Sequence, residues 1–175
     1  MLSIMEVVVA LRRIPLFASV QGEGLKRLAD VVLEKTVGAG ELIFAENDLG
    51  EEVYLVHRGA VQIFQPLDGR ELAIELVREG GYFGELAIID EMPRSASARA
   101  QEDSLLLVLS KYDFRMAVQD YPDIALEALK DLSRRLRNAD LRIRELAERP
   151  GSPEPIGRGG GAPRQGLEGT QREAS

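Results

Sequence analysis

The chain has 175 residues, 45% hydrophobic content and a formal net charge of −7, enough for one ordinary folded domain with some length to spare. It has no cysteine and a single histidine, His57, which excludes disulfides and cysteine nucleophiles and leaves too few imidazoles for most zinc sites or Ser/His catalysis. The acidic balance suits neither non-specific nucleic-acid binding nor an anionic membrane surface, and the lack of cysteine fits a reducing compartment such as the cytoplasm.

The opening MLSIMEVVVALRRIPLF has no basic leading segment and is broken by Glu6, so it reads as part of the mature fold and not as a signal peptide. No apolar run reaches the roughly 20 residues that span a bilayer. Residues 4–13 predict an amphipathic helix with Ile4, Val7, Val8 and Leu11 on its apolar stripe, stopped by Ile14-Pro15. Leu16 and Phe17 are candidate core anchors, and a second short helix is predicted over 22–30. From residue 31 the pattern turns strand-like, with strands over 31–37, 42–44, 53–57, 61–64 and 71–77. Asp68-Gly69 signals a tight hairpin between the last two. After Gly80-Gly81 comes a short irregular section, then strands near 95–101 and 104–109. His57 falls on a strand and reads as a surface or rim residue. Short strands between turn signals imply an all-β sandwich or barrel.

Helix returns after Ser110, a good N-cap, over 111–119, and again from Pro122 to about 148. The apolar positions of the longer helix are Ala125, Leu129, Leu132, Leu136, Ala139, Ile143 and Leu146, alternately four and three apart. That seam suits either packing on the strands or a homodimer contact over 125–146. The last 26 residues hold 7 of the 17 glycines and 4 of the 8 prolines, a composition that predicts a disordered Gly/Pro-rich tail over 149–175.

The segment 83–100, FGELAIIDEMPRSASARA, carries the chemistry. Gly84 permits an unusual backbone conformation and close approach to a ligand. Glu85 to Ile89 can form one helical turn whose first N–H groups are free for an anion. Arg94 supplies a planar guanidinium that binds two phosphate oxygens at once. Ser95 and Ser97 add hydroxyls, and Ala96 and Ala98 leave room for a bulky partner. A carboxylate repels phosphate, so Glu85 in an anion site needs a separate purpose, and accepting from a ribose hydroxyl provides one. A 3′,5′-cyclic nucleotide offers one free ribose hydroxyl, one negative charge and a flat base, which matches this inventory.

This stretch resembles the phosphate-binding cassette of the cyclic-nucleotide-binding domains shared by the catabolite activator protein and the regulatory subunit of cAMP-dependent protein kinase. The match runs through Phe83, Gly84, Glu85, Leu86, Ala87, Pro93, Arg94, Ser95, Ala96 and Ser97, with Pro15-Leu16-Phe17 and the turn glycines Gly40 and Gly59 outside it. The resemblance implies a mainly β fold with flanking helices: an eight-stranded jelly-roll, or double-stranded β-helix, with N-terminal helices and a long C-terminal helix. The domain would span 1–148, with the β-roll over about 31–109 and the C-terminal helices over 111–148. It further implies that Arg94 binds the exocyclic phosphate oxygens and Glu85 the ribose 2′-OH. Gly84 would lie against the sugar, the Ala87 backbone and Ser95 would hold the phosphate, and Ala96 would line the pocket. The long helix would bring Leu136, Ala139 and Asp140 near the base.

Ser95, where threonine often accompanies cGMP preference, points to cAMP as the ligand. Asp140 points the other way, since a carboxylate accepts from a guanine edge. No metal is implied. The chain reads as a sensor that signals to an unknown downstream protein through its C-terminal helix, and not as an enzyme. A DNA-reading helix-turn-helix is not expected after residue 148, so direct DNA binding is not expected, nor is a membrane partner. The alternative is an oligomerisation or protein-interaction module that keeps the β-roll but binds no nucleotide.

Overall fold

The structure, a computed structural model, describes residues 1–148. Two units divide the chain, Met1–Ser133 and a second from Arg134, and each is described by itself. The tail expected over 149–175 lies outside the described residues.

In chain order, α1 (Ile4–Arg13), a 3-10 turn (Pro15–Phe17) and α2 (Gly22–Val31) precede the strands. Then come β1 (Leu33–Val37), β2 (Leu42–Phe44), β3 (Glu52–Arg58), β4 (Ala60–Leu67), β5 (Arg70–Arg78) and β6 (Tyr82–Phe83). The turn α3 (Leu86–Ile89), β7 (Ser97–Ala100), β8 (Ser104–Ser110), α4 (Lys111–Asp120) and α5 (Asp123–Ala147) complete the described chain. The strands form two four-stranded sheets, ordered β1-β8-β3-β6 and β2-β7-β4-β5, and every pairing is antiparallel.

Local chemistry sets most of these boundaries. The Ser3 hydroxyl accepts from the Glu6 amide at 3.3 Å while the Glu6 carboxylate accepts from the Ser3 amide at 2.7 Å, a reciprocal cap that starts α1. Ile14 is extended ahead of Pro15, where helical backbone would clash with the proline ring. Asp68 and Gly69 both have positive φ, 50° and 76°, as a two-residue turn between twisted strands requires. Several predicted boundaries move, as where β4 runs over Ala60–Leu67 and not 61–64. Val31 is the last residue of α2 and not the first of a strand, because the Val32 amide still donates to the Leu28 carbonyl at 3.1 Å. The two-residue β6 falls within the section expected to be irregular; its register with Leu55 and Tyr54 comes from the neighbouring strand.

β3 and β8 are the middle strands of their sheet, buried on both faces. Val53, Leu55, Leu107 and Leu109 face one way, into a core completed by Leu11, Leu16, Phe17, Leu25, Phe114 and Ile124 from the helices. Tyr54, Val56, Leu106 and Val108 face the other way, into a core shared with Val61, Val77, Ala98 and Ala100 of the second sheet. Strands with two buried faces read as unbroken apolar runs, which is why alternation is invisible in 53–56 and 105–109.

The first turns of α5 bury Ile124, Ala128 and Asp131, while Leu129 of the expected seam is 59% exposed. The buried stripe thus lies one residue N-terminal to the apolar seam. A polar residue on that stripe is possible because the Tyr82 hydroxyl donates to the Asp131 carboxylate at 3.0 Å. In the second unit Leu136, Leu141, Ile143 and Leu146 are exposed.

Candidate functional site

The segment from Phe83 to Ser97 leaves β6, makes the single turn α3 and returns as β7. Gly84 has φ +85°, in the left-handed region, and a Cβ there would stand 2.7 Å from Arg94 Nη1. Glycine is therefore required twice over, for the backbone and for the approach of the guanidinium. The Glu85 carbonyl accepts from the Ile88 and Ile89 amides, each at 3.0 Å, so the first bonded amides of the turn are those two. The Glu85 side chain is 1% exposed. Phe83, Ala87 and Ala96 are buried, Leu86 is half-buried, and Ser95 is exposed.

Arg94 enters this site with its backbone fixed. Its amide donates to the Asp48 carbonyl at 2.8 Å, and its own carbonyl accepts from the Asn47 amide at 2.9 Å. The side chain turns inward and is 4% exposed. Nη1 donates to the Gly84 carbonyl at 2.6 Å and Nη2 to the Glu52 carbonyl at 2.8 Å. The guanidinium carbon lies over the Phe44 ring at 4.2 Å and over the Tyr54 ring at 5.8 Å. Nε is buried and has no hydrogen-bond partner.

Burial pulls the Arg94 pKa below its usual value, and electrostatic interaction with Tyr54, Glu52, Glu85 and Asp48 opposes that shift. A guanidinium starts so high that it stays protonated at neutral pH. Burial, with a hydrogen bond to Glu52, raises the Tyr54 phenol well above its ordinary range, so Tyr54 remains a donor, and it donates to the Glu52 carboxylate. The site thus holds a fixed planar cation, two of whose five N–H donors are used and whose Nε has no partner, beside a buried carboxylate. It can take an anion and, at Glu85, a hydroxyl.

Bonds to the rest of the sheet hold the exit of the segment. The Ser95 carbonyl accepts from Gln65 Nε2 at 2.7 Å, and the buried Ser97 hydroxyl accepts from the Glu46 amide at 2.9 Å. Ser97 is thus a structural brace for the 45–48 turn. Leu136, Ala139 and Asp140 lie on α5 beyond Ser133, in the second unit, where all three are exposed.

Sequence reasoning missed Glu52, Tyr54, Phe44 and Gly50. Glu52 acts through its main-chain carbonyl, which no side-chain pattern reveals. Phe44 reaches the site only because β2 pairs with β7, opposite Ala98. A Cβ on Gly50 would come 2.4 Å from Ala87 Cβ, a packing demand that shows in sequence only as one more loop glycine. Tyr54 had a signal: it is the polar aromatic in an apolar strand, on the face opposite Val53 and Leu55.

A family model described as the cyclic nucleotide-binding domain matches residues 34–121. The cyclic AMP receptor protein of Thermus thermophilus is 37% identical over 130 residues, covering 74% of this chain and 60% of that protein. The crystal structure of the Thermus thermophilus catabolite activator protein superposes with a TM-score of 0.69 at 36% identity, covering 76% of this chain and 63% of that one. The regulatory domain of Toxoplasma gondii PKA, crystallised with cAMP, superposes with a TM-score of 0.63 at 29% identity, covering 67% and 45%. The chain therefore spans less than two thirds of the length of these relatives.

Proposed function

Because the chain belongs to the cyclic nucleotide-binding domain family, we propose that it binds cAMP in the segment from Phe83 to Ser97 and signals through α5. The family is one of regulatory sensors, and the domain is not an enzyme. The observation that carries the ligand reading is the Arg94 side chain: a buried cation whose Nη atoms each donate once to a backbone carbonyl and whose Nε has no partner. Leaving a donor unmade in the interior costs about 1–3 kcal/mol, and a phosphate oxygen relieves that cost. Arg94 takes the phosphate and the buried Glu85 takes the ribose 2′-OH. Gly84 lies against the sugar, the Ala87 amide and Ser95 complete the phosphate cradle, and Ala96, Phe83 and Leu86 shape its walls.

The base preference is cAMP over cGMP. It is supported by Ser95 and by relatives whose names specify cAMP. Leu136, Ala139 and Asp140 are the base-facing residues of this reading. Nucleotide favours one of two positions of α5, and the energy available is the difference in its affinity for them. The exposed Leu129, Leu136, Ile143 and Leu146 favour a homodimer contact through 125–146, with the output passed to a downstream protein. No DNA or membrane contact belongs to this reading. The net charge of −7 supports the first omission, and no helix of the described residues is long and apolar enough to cross a membrane. The cytoplasm, where cAMP is available, is the proposed location.

Isothermal titration of the full chain with cAMP and cGMP side by side tests the proposal. The expected result is one site per chain, tighter for cAMP, with a matching rise in melting temperature; a hundredfold excess over Kd adds about 2.7 kcal/mol of stability. No heat and no thermal shift with either nucleotide would leave the ligand-free interaction module as the correct reading. Tighter cGMP binding would reverse the base assignment alone.

A further inference from the structure

The Arg94 guanidinium rests on a cluster of three rings. Tyr54 and Phe83 stack at 5.1 Å and 12°. Phe44 meets both at 5.7 and 5.9 Å, and among these rings it comes nearest the charge, at 4.2 Å. Tyr54 and Phe83 are core residues of the inter-sheet space, 3% exposed each, whereas Phe44 is half-buried on β2, an edge strand whose register shifts between Leu42 and Phe44. The backbone of β2 therefore departs from regular pairing at the residue that meets the cation.

Two backbone carbonyls hold the Nη atoms and the covalent chain holds Nε, so the tilt of the guanidinium plane depends on what packs against its face. A ring against that face fixes the tilt. An aromatic ring also attracts the cation electrostatically, and more strongly where water is excluded, which an aliphatic side chain of similar volume does not do. Three of the guanidinium's five N–H donors are left, one on each Nη and the one on Nε, and Nε has no hydrogen-bond partner at all.

We propose that Phe44 is a positioning residue for anion recognition: its ring holds the Arg94 guanidinium in the orientation in which its unused N–H donors meet a phosphate oxygen of the nucleotide. The inference rests on the cyclic-nucleotide reading of the site. It differs from a packing role because it depends on the ring's electrostatics and not only on its volume.

Phe44→Leu keeps an apolar side chain of comparable bulk without the ring, and Phe44→Tyr keeps the ring. In cAMP titrations of the full chain, Phe44→Leu is expected to weaken binding about tenfold, the scale of a desolvated cation–ring contact, while Phe44→Tyr stays within about threefold of wild type. Melting temperatures without ligand are expected not to follow that order. A second measurement needs neither variant nor ligand. In side-chain nitrogen–proton NMR spectra the wild-type Arg94 Nε–H is expected upfield of the ordinary arginine position, because the guanidinium carbon to which Nε is bonded lies over the Phe44 ring at 4.2 Å. Phe44→Leu binding as tightly as wild type, both variants losing affinity in step with their melting temperatures, or an ordinary Arg94 Nε–H position would each overturn the positioning role. Wild-type protein that binds no cyclic nucleotide would overturn the functional reading and the positioning role with it, whatever the spectrum shows.

Discussion

The two faces of the β3–β8 pair close in different ways. Toward the helices the core is filled with large side chains, among them Leu11, Leu16, Phe17, Leu25, Leu55, Leu107, Leu109 and Ile124, all fully buried. Toward the second sheet the aliphatic residues are mostly small, with Val37, Val56, Val61, Val77, Ala98 and Ala100 beside Leu106 and the rings of Tyr54 and Phe83. A buried Glu85 and a buried Arg94 belong to the loop that leaves that region. The same two strands thus contribute one face to the helical core and one to the region of the candidate site. Burying a charge is costly unless hydrogen bonds satisfy it, and the second region meets that condition for Arg94 only in part, with one bond from each Nη and none from Nε.

Substitutions on the two sides should therefore separate stability from binding. The largest effect belongs to the helical side. Phe17→Ala is expected to lower unfolding free energy by about 3–5 kcal/mol in urea melts, with the cAMP affinity of the remaining folded protein unchanged. A parallel loss of affinity would show that the two regions are not separable. Next is Arg94→Ala, which should weaken cAMP binding by about 3 kcal/mol, on the order of a hundredfold. Its ligand-free stability should change by less than its affinity, since the substitution also removes a desolvated cation; a stability loss larger than the affinity loss would make Arg94 a structural group. The smallest effect is expected from Gly84→Ala. The left-handed backbone and the 2.7 Å approach to Nη1 should cost about 1–3 kcal/mol, visible both as lower stability and as weaker binding. A loss confined to stability would mean that the Gly84 turn does not shape the site.

Much of the fold is legible in the chain because its cues are local. Ser3 and Glu6 cap a helix three residues apart, Asp68-Gly69 closes a hairpin, and Ser110 accepts from the Asp113 amide at 3.0 Å to start α4. The α5 seam is the counter-example. Its apolar residues suggest a face through Ala125, Leu129 and Leu132, but the buried face runs through Ile124, Ala128 and Asp131. Leucine count alone cannot decide which stripe turns inward when Tyr82, 49 positions away, offers a hydrogen bond to a carboxylate.

From the sequence alone came the segment from Phe83 to Ser97 as the candidate site, with Gly84, Glu85 and Arg94 as its candidate groups, since glycine turns and charged side chains declare their chemistry wherever they stand. Only the tertiary structure decided how Arg94 is held: by the carbonyl of Glu52, 42 positions distant, by the carbonyl of Gly84, and by the ring of Phe44 brought in through strand pairing. Main-chain acceptors are present at every residue and rings pack by proximity, so neither leaves a mark on the chain until folding places them side by side.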